Sequence, residues 1–462
     1  MIRDTQQVLV KSPFVQKVED DGRAIIWHSL FGNPRIVSGD VLKLLDAFSS
    51  SLRVEDFLTE YDIDDPKVLQ GLINSFFLVP PGFDERAFLE RLTKEHESAI
   101  TDGSLLERLE LTVTHECNFR CTYCLHFGNL SQSRSEGPQR MSYQTAISAV
   151  DNYIRILRRN GRETASIHFG GGEPLLEWVL IDRILQYYRT RYIAEFPCKF
   201  AINTNASLVT SEIARKLKEF DFLVASSLDG LGEANDIVRK SKDGRGTITR
   251  IAQGLNLLKN EDCTVDIAVT ITDGNFPYID ERMIDWALAN GMNHIRINPD
   301  VINLIRTPME KIISLLTRLR KFGKEKGVEV TGAWSRPFSN LNSSALNQFP
   351  AFCGAVTGRS ICVSPNGNIY GCCYSGTQLG TLNQVASLHK PGSEYHQFVL
   401  SNVSCSKSRC QGCMIEGQCG GACNVTQEFA SASKNRKTDQ MCPLYKGMTR
   451  ELLLQQLAET VS

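Results

Sequence analysis

The alternation of strand-like and helix-like segments between residues 108 and 325 constrains the fold of this chain more than any other feature. Six short segments rich in β-branched and aromatic residues are predicted strands, namely LELTVTH, ASIHF, CKFAIN, FLVASSL, TVDIAVTI and NHIRIN. Helical patterns separate them at about 142–157, 178–190, 210–219, 247–259 and 278–290, and a sixth follows at 308–325. Six βα units in series predict an α/β domain with a parallel sheet. Periodicity alone leaves open both a doubly wound open sheet and an incomplete barrel.

The segment before this domain has the pattern of a small unit of its own. SPFVQKVED, GRAIIWHSL and NPRIVS are strand-like, and three helical patterns follow them, DVLKLLDAF, VEDFLTEY and DPKVLQGLINSFF. Three strands followed by three helices predict a winged-helix-like α+β domain over residues 1–82. A charged helical stretch, DERAFLERLTKEHES, is the predicted connector within a linker at 83–107. We expect this domain to be separable from the rest of the chain.

The 15 cysteines are distributed unevenly. None lies before Cys117, and ten lie between Cys353 and Cys442. The N-terminus, MIRDTQQVLVKSP, lacks the apolar core of a signal peptide, and no apolar run approaches the length of about 18 residues that spans a bilayer. These features predict a cytoplasmic protein with no membrane partner. Because the cytosol is reducing, grouped thiols indicate metal sites rather than disulfides.

The charge balance argues against nucleic acid as a partner. The chain has 51 basic and 52 acidic residues and a formal net charge of -1, so it has no overall field that attracts polyanions. A DNA-binding winged helix is the alternative for residues 12–76, but its third helical pattern contains one Lys and no Arg to contact phosphate. The sequence therefore predicts a locally bound partner and no nucleic acid.

The motif CNFRCTYC places Cys117, Cys121 and Cys124 on a tight loop directly after the first strand of the α/β domain. Three thiolates can hold three irons of a 4Fe–4S cube and leave the fourth iron without a protein ligand. An open metal position is where a substrate or cosubstrate binds. We therefore assign these three cysteines as catalytic metal ligands. The alternative is a zinc site completed by His115 or His126.

The CxxxCxxC spacing, with Tyr123 before the last cysteine, resembles the signature of radical S-adenosylmethionine enzymes. FGGGEP after the second strand resembles the family segment that approaches the amino end of S-adenosylmethionine, and NTN and SSLDG resemble segments near its ribose and methionine parts. The resemblance implies a partial (β/α)6 TIM-like barrel over residues 108–330 and S-adenosylmethionine as a cofactor. It assigns Glu173 to the amine of the cosubstrate, Arg239 to its carboxylate, and the glycines to close backbone approach. The implied contact residues are Tyr123, Gly171, Gly172, Glu173, Asn205, Ser227, Asp229 and Arg239.

The C-terminal cysteines form a second pattern. Cys353, Gly367 and Cys372 are followed by the run CxxCxxxxxCxxxC and a last cysteine, which resembles the seven-cysteine SPASM domain. The resemblance implies a C-terminal iron-sulfur domain over 331–446 with two auxiliary clusters, hence three 4Fe–4S clusters in all, and a closing helix at 447–462. Its short turns predict organisation around metal rather than apolar burial, and two zinc ribbons are the alternative. The implied auxiliary ligands are Cys353, Cys372, Cys410, Cys413, Cys419, Cys423 and Cys442.

Two closed 4Fe–4S clusters need eight ligands, and this pattern supplies seven. Either one cluster keeps an open iron, or Cys362, Cys373 or Cys405 supplies the eighth thiolate. Because neighbouring residues on a strand point to opposite faces, we expect Cys372 and Cys373 not to serve the same cluster, and Cys362 is the favoured eighth ligand. The cysteines within strand patterns are predicted core residues, and they are Cys198 and Cys263.

The N-terminal domain resembles the peptide-recognition element of maturases of ribosomally synthesised peptides, which binds a leader peptide as an added strand. Together the resemblances imply a radical S-adenosylmethionine peptide maturase that uses a 5′-deoxyadenosyl radical to remove hydrogen from a leader-bound precursor and install a thioether or C–C crosslink. The implied partners are the precursor peptide and an electron donor such as flavodoxin or ferredoxin. One alternative is an anaerobic sulfatase-maturing enzyme, but those enzymes have an Asp after the cysteine that corresponds to Cys372, where this chain has Cys373. The other alternative is a non-catalytic iron-sulfur regulator with a winged helix.

Overall fold

The computed structural model describes residues 6–60, 67–126, 138–300, 306–343, 351–403, 407–432 and 441–460. Cys405, a candidate eighth cluster ligand, lies outside the described residues. Within these ranges the chain forms two three-stranded sheets near its N-terminus and one sheet of ten strands. None of the described helices combines the length and the apolar character that crossing a bilayer requires.

The N-terminal part consists of two small sheets and three helices. Strands β2, β3 and β4 form an antiparallel sheet where the sequence predicts three strands. The sequence does not predict the second sheet, β5-β1-β6, because its strands have only two to four residues. Leu9, Ile26, Phe48 and Phe57 join these elements in one buried core. The elements are β1 Val8–Lys11, β2 Val15–Asp20, β3 Arg23–His28, β4 Gly32–Ser38, α1 Gly39–Ala47, β5 Leu52–Arg53, α2 Val54–Glu60, α3 Lys67–Asn74 and β6 Leu78–Val79, and the connector is α4 Glu85–Glu95 and α5 Glu97–Thr101.

The α/β domain contains the six predicted strands, which are parallel and adjacent in sequence order. The strands are β7 Arg108–Thr114, β8 Ala165–Gly171, β9 Cys198–Thr204, β10 Leu223–Ser227, β11 Thr264–Ile271 and β12 His294–Pro299. The helices are α6 Tyr143–Arg159, α7 Trp178–Arg191, α8 Ser211–Glu219, α9 Glu233–Val238, α10 Ile248–Asn260, α11 Arg282–Ala289 and α12 Met309–Lys326. This is the parallel sheet of a partial TIM-like barrel, whose strand carboxyl ends meet at one rim.

The C-terminal part extends the barrel sheet at both edges. One added strand, β13, pairs in parallel with β12, while β14 pairs in parallel with β7 and antiparallel with β15. The ten-stranded sheet therefore has the order β13-β12-β11-β10-β9-β8-β7-β14-β15-β16. The elements are β13 Glu329–Thr331, α13 Arg336–Leu341, β14 Ser360–Val363, β15 Asn368–Tyr370, β16 Gln378–Thr381, α14 Glu394–Ser401, α15 Glu416–Cys419, α16 Asn424–Ala432 and α17 Met441–Glu459.

The structure differs from the sequence-based expectations for this C-terminal part in three respects. The expected domain boundary between 330 and 331 falls inside β13, and the closing helix begins at Met441 rather than at 447. The region also has apolar burial of its own, because Ile361, Val363 and Ile369 belong to the same buried core as the barrel strands. The hairpin of β14 and β15 is therefore a continuation of the barrel sheet rather than a fold built around metal alone.

The N-terminal part is packed against the C-terminal helix α17. One face of the β2-β3-β4 sheet contributes Trp27, which is fully buried, to a cluster with Leu341, Leu453 and Leu457. Deleting residues 1–82 would expose this apolar face of α17 to water. A truncated chain is therefore a poor test of what the N-terminal part does.

Candidate active site

The three cysteines of the CNFRCTYC motif lie on the loop that follows β7 at the carboxyl rim of the sheet. The backbone N–H of Phe119 donates to the Cys117 sulfur at 3.3 Å. The backbone N–H of Thr122 donates to the Val238 carbonyl at 3.0 Å, which pins the loop to the end of α9. These backbone contacts fix the loop over the sheet.

The cysteine loop forms one wall of a cavity of about 410 Å³. Two cysteines from the C-terminal part, Cys372 and Cys423, line the same cavity. Asp229, in contrast, does not belong to the lining and is completely buried. The other residues predicted to contact the cluster or the cosubstrate all line the cavity: Cys117, Cys121, Tyr123, Cys124, Gly171, Gly172, Glu173, Asn205, Ser227 and Arg239. The fold thus joins two cysteine groups that are far apart in sequence.

The glycines at the end of β8 are needed for contact with the cysteine loop. A Cβ on Gly171 would lie 2.1 Å from the Thr114 carbonyl oxygen, and one on Gly172 would lie 2.1 Å from that of Glu116. The Gly172 N–H donates to the Thr114 carbonyl at 2.8 Å. Gly171 also has φ +130°, a conformation that favours glycine. The sequence predicts that these glycines allow close approach to a ligand. The structure adds a second role that the sequence does not predict, which is the close approach of two protein backbones.

We expect Gly172→Ala to destabilise the protein by about 1–3 kcal/mol, because the added methyl group cannot fit without moving the cysteine loop. Thermal unfolding measures this loss. Gly71→Ala is the matched control, since a Cβ at this position of α3 would meet nothing within 4 Å. The control should be neutral or stabilising by up to about 1 kcal/mol. Equal melting temperatures for the two variants would contradict the backbone contact.

Glu173 is buried and connects the end of β8 to the end of β9. Its Oε1 accepts hydrogen bonds from Leu175 N at 3.1 Å and Thr204 Oγ1 at 2.7 Å. Its Oε2 accepts one from Asn205 N at 2.8 Å. Burial raises the pKa of Glu173, and these hydrogen bonds oppose the shift by stabilising the carboxylate. The side chain lines the cavity, as its expected role requires, but three protein donors already hold it.

Arg239, Asp229 and Tyr123 form a buried polar cluster beside Cys121. Arg239 Nε lies 2.7 Å from Asp229 Oδ2, and Arg239 Nη2 donates to the Tyr123 hydroxyl at 2.6 Å. The Tyr123 hydroxyl in turn donates to Asp229. Arg239 Nη1 lies 3.7 Å from the Cys121 sulfur. The sequence assigned Arg239 to a cosubstrate carboxylate, whereas in the structure its charge is already paired with Asp229 and it faces a thiol.

Two thiols of the loop are protonated in the absence of metal. Burial raises the pKa of Cys117 to about 12 and that of Cys121 to about 11, so both are protonated at neutral pH until a metal displaces the proton. Among the described residues, no three His, Cys, Asp or Glu side chains converge closely enough to bind one metal ion. A zinc ion needs such convergence, whereas the thiolates of a 4Fe–4S cube bind separate irons. Three cysteines on one loop at the wall of the cavity are a donor set that fits a 4Fe–4S cube.

The C-terminal cysteines fall into two groups. Burial raises the pKa of Cys423 to about 12, and the nearby thiols of Cys353 and Cys372 add to this shift, so these three lie together. The second group lines a separate cavity of about 320 Å³, which lies beside α15 and the first turn of α17. Its members are Cys410, Cys413, Cys419 and Cys442. The sequence pattern does not predict this division.

The adjacent cysteines Cys372 and Cys373 do not lie on a strand, although the sequence-based expectation assumes that they do. Cys372 and Cys373 lie in a turn after β15, not on a strand, and their thiols hydrogen-bond to one another. The rule that strand neighbours face opposite sides therefore does not apply. Cys362 on β14 lies 3.4 Å from Thr112 Oγ1 and packs with Cys373. Cys198 and Cys263, which the sequence predicts as core residues, are half-buried and pack against the barrel core.

The cavity is also lined by side chains that the sequence does not predict as site residues. Asn298 and Asp300 lie at the end of β12, so the strand-end reasoning used for β7 to β10 would have found them. Trp334 follows the short strand β13, which leaves no pattern in the sequence. Tyr374 and Tyr445 lie two and three residues after metal-candidate cysteines, and only the fold shows that they face this cavity. Asn298, Asp300 and Trp334 extend the wall of the cavity to the ends of β12 and β13.

Solved structures share this fold. The structure of anSMEcpe with bound AdoMet has a TM-score of 0.62 at 19% identity, covering 77% of this chain and 99% of that one. Streptococcus suis SuiB, with S-adenosylmethionine bound, has a TM-score of 0.55 at 15% identity and covers 92% and 97%. Because residues 1–107 make up more than the 8% left uncovered, the likeness to SuiB extends into the N-terminal part.

Sequence comparison identifies one domain of the chain. The model of the radical SAM superfamily matches residues 111–288, which run from β7 to α11. The radical SAM cyclopropyl synthase TigE of Paramaledivibacter caminithermalis is 25% identical over 462 residues, and the match covers 96% of each chain. The chain therefore carries a radical SAM domain over residues 111–288 and is similar over nearly its whole length to a radical SAM cyclopropyl synthase.

Proposed function

We propose that this enzyme is a peptide maturase that removes hydrogen from a leader-bound precursor peptide and installs a C–C bond or a thioether crosslink. One observation carries the proposal: Cys121 of the radical SAM loop and Cys372 and Cys423 of the C-terminal part line one cavity. A substrate in that cavity is in reach of both cysteine groups. An enzyme with the radical SAM cluster alone would not need the C-terminal cysteines at this cavity.

The family uses S-adenosylmethionine and a 4Fe–4S cluster, and Cys117, Cys121 and Cys124 are the residues that would hold the cluster. When bound, these groups supply a 5′-deoxyadenosyl radical. The chain itself orients and shields the site. The Arg239 and Asp229 pair fixes Tyr123 beside Cys121, and Glu173 and Asn205 shape the wall on the β8 and β9 side. A flavodoxin or ferredoxin is our candidate for the electron donor, and the cytoplasm for the location.

The bond type follows from the balance of the reaction. Forming either a C–C bond or a thioether between two groups of a peptide removes two hydrogens, of which the radical takes one. The other must leave as a proton and an electron. We favour a C–C bond, because the relative that matches this chain over 96% of its length is a cyclopropyl synthase.

We assign the auxiliary ligands in two sets, which together with the radical SAM cluster give three 4Fe–4S clusters. Cys410, Cys413, Cys419 and Cys442 would hold a closed cluster, since four thiolates line one cavity. The three-cysteine group of Cys353, Cys372 and Cys423 would hold the other. When bound, these clusters supply an electron acceptor.

The fourth ligand of the three-cysteine group remains a choice between Cys362 and an open iron. Cys362 contacts Thr112 and belongs to a buried cluster with Cys373, against which Cys372 packs. The thiols of Cys353 and Cys372 are near enough to Cys423 to raise its pKa. These contacts allow either choice. An open iron beside the substrate cavity would let a substrate group bind metal, whereas Cys362 would close the cluster.

The edge strand β4 is our candidate site for the leader peptide. Both β2 and β4 are edges of the N-terminal sheet, but β2 carries three charged residues, which protect an edge from pairing. Strand β4 carries one charged residue and exposes Ile36, whose side chain is 38% accessible. An added strand would gain backbone hydrogen bonds and cover Ile36. SuiB, whose structure has been described with precursor peptide SuiA bound, covers 93% of this chain at a TM-score of 0.53.

We expect Ile36→Asp to weaken precursor binding about tenfold, because it places a charge where an apolar side chain would be covered. Fluorescence anisotropy with a labelled candidate precursor measures the dissociation constant. Leu223→Asp is the matched control, since Leu223 is equally exposed at 39% but lies on the barrel. The full-length protein must be used, because Trp27 ties the N-terminal part to α17. Equal affinity of the two variants would reject β4 as the leader site.

The direct test of the proposed function is anaerobic co-expression with a candidate precursor followed by mass spectrometry. A product that has lost two hydrogens per new bond, formed together with 5′-deoxyadenosine, supports the proposal. Conversion of a cysteine or serine to formylglycine would instead favour the sulfatase-maturing alternative. Absence of 5′-deoxyadenosine with every reductant and peptide would favour the non-catalytic regulator.

A further inference from the structure

A buried carboxylate holds the loop that carries the four-cysteine group. The side chain of Glu416 is 0% exposed, and its Oε2 accepts a hydrogen bond from Gly412 N at 2.9 Å. The backbone N–H of Glu416 donates to the Cys413 carbonyl at 3.1 Å. Glu416 also lines the cavity of the four cysteines. Its charge is therefore part of the surroundings of any cluster bound there.

The partner of this carboxylate comes from the connector helix, 330 residues away in sequence. Arg86 on α4 makes a bidentate pair, with Nη1 to Oε1 at 2.5 Å and Nη2 to Oε2 at 3.0 Å. The Arg86 side chain is 33% exposed, so only one end of the pair is fully out of water. Bidentate arginine–carboxylate pairs fix orientation as well as charge.

Two backbone groups of the same loop, the Gly417 N–H and the Met414 carbonyl, bind strand β3 of the N-terminal sheet and the turn after it. The Gly417 N–H donates to the Ser29 carbonyl at 2.9 Å, and a Cβ on Gly417 would lie 1.9 Å from the Leu30 carbonyl oxygen. The Trp27 indole N–H donates to the Met414 carbonyl at 2.8 Å. The N-terminal part and the connector thus hold the loop 412–417 in place, although none of their described residues lines the four-cysteine cavity.

We propose that Glu416 and Arg86 are positioning residues that couple the N-terminal part to the four-cysteine site, setting both its assembly and the reduction potential of its cluster. This inference rests on the proposed function in one respect, namely that the site holds an iron-sulfur cluster. The pair ties the loop to the connector helix α4, which follows the N-terminal part on which we place the leader peptide. An event at the N-terminal part therefore has a direct route to an electron-accepting site.

The physical basis is the cost of an unpaired buried charge. Removing Arg86 leaves the Glu416 carboxylate without its counter-charge, which is strongly destabilising for the segment that carries it. A negative charge close to a cluster disfavours the added electron, and a positive charge favours it. Neutralising Glu416 should therefore raise the reduction potential of a cluster in this cavity.

The experiment uses full-length protein reconstituted anaerobically with iron and sulfide, without any peptide. The variants are Arg86→Met, Arg86→Lys and Glu416→Gln. Arg158→Met is the matched control, because it removes another bidentate arginine–glutamate pair whose side chains are 53% and 49% exposed on the barrel. The measurements are iron content, hydrogen exchange of residues 407–423 in the protein before and after reconstitution, and an electron paramagnetic resonance redox titration.

We expect Arg86→Met to lose about a third of the iron, the share of one cluster in three, and to exchange faster over 407–423. Arg86→Lys should restore most of the iron. Glu416→Gln should retain iron and shift the ratio of oxidised to reduced cluster about tenfold, equivalent to about 59 mV for a one-electron couple. A lost fold alone would not give this upward shift, so Glu416→Gln keeps the test valid if Arg86→Met aggregates.

Two results would overturn the inference. One is an Arg86→Met protein whose iron content and exchange match those of Arg158→Met. The other is an unchanged or lowered potential in Glu416→Gln. Wild-type protein that binds the iron of the radical SAM cluster alone would instead reject the auxiliary clusters of the proposed function, so the two failures are distinguishable.

Discussion

We expect the triple variant of Cys117, Cys121 and Cys124 to Ala to form no 5′-deoxyadenosine and to lose about a third of its iron. These three thiols line the cavity on one loop. The variant loses the bond from Phe119 N to the Cys117 sulfur, but it keeps backbone hydrogen bonds that do not involve cysteine side chains, such as Thr122 N to Val238 O. The loop should therefore keep its conformation while the cluster is lost. Chromatography of the reaction mixture and iron analysis measure both effects.

The matched control for this variant removes two cysteines that lie outside the site. Cys198 and Cys263 pack against the barrel core, with their sulfurs 3.7 Å and 3.4 Å from the Lys199 and Ala214 carbonyl oxygens. Changing both to Ala should leave iron content and S-adenosylmethionine cleavage unchanged. If the triple variant still cleaves S-adenosylmethionine, the assignment of the catalytic loop fails.

The barrel is the part of this fold that its sequence predicts best. Each predicted strand from LELTVTH to NHIRIN lies in the parallel sheet, because alternating βα segments are local patterns of sufficient length. The site follows from the same regularity. Parallel strands end at one rim, so motifs placed after successive strands meet in space, as Cys117, Glu173, Asn205 and Ser227 do around the cavity.

The features that the sequence does not predict depend on contacts between distant segments. The pairing of β14 with β7 merges two expected domains into one sheet, yet β14 has only four residues and its partner lies about 250 residues earlier. The same holds for side chains. The local sequence around Arg239 does not show that its charge is paired with Asp229 and that it donates a hydrogen bond to Tyr123. The local sequence around Gly172 predicts a ligand contact, and only the fold shows that the Glu116 carbonyl lies against this glycine.

The auxiliary clusters are expected to stabilise only one segment of the C-terminal part. The hairpin β14 to β15 and its buried Ile361 and Val363 belong to the barrel core, so we expect this part to fold without metal. The segment 407–423 is different, because its helical pieces span only a few residues, Ser408–Cys410 and Glu416–Cys419. Dependence on metal should therefore be confined to this segment rather than spread over the whole C-terminal part.

We expect Cys419→Ser to lose about one cluster's iron and to form no modified peptide. Cys419 is buried at the end of α15, and it lines one cavity with Cys410, Cys413 and Cys442. Metal binding at a structural site contributes on the order of 10 kcal/mol to folding, which is more than a short segment can replace by packing. Limited proteolysis should therefore cut the variant within 407–432 and leave β14 to β16 intact.

Cys362→Ser is the matched control for this experiment, since Cys362 is equally buried but belongs to the barrel sheet and contacts Thr112. If the three-cysteine group keeps an open iron, Cys362→Ser retains its full iron content and its proteolytic pattern. If Cys362 is the eighth ligand, the variant loses iron while segment 407–432 stays protected, because that segment is held by the other four cysteines. A Cys419→Ser protein with full iron and normal product would show that Cys419 is not a cluster ligand, and cuts spread across β14 to β16 would show that the hairpin also depends on metal.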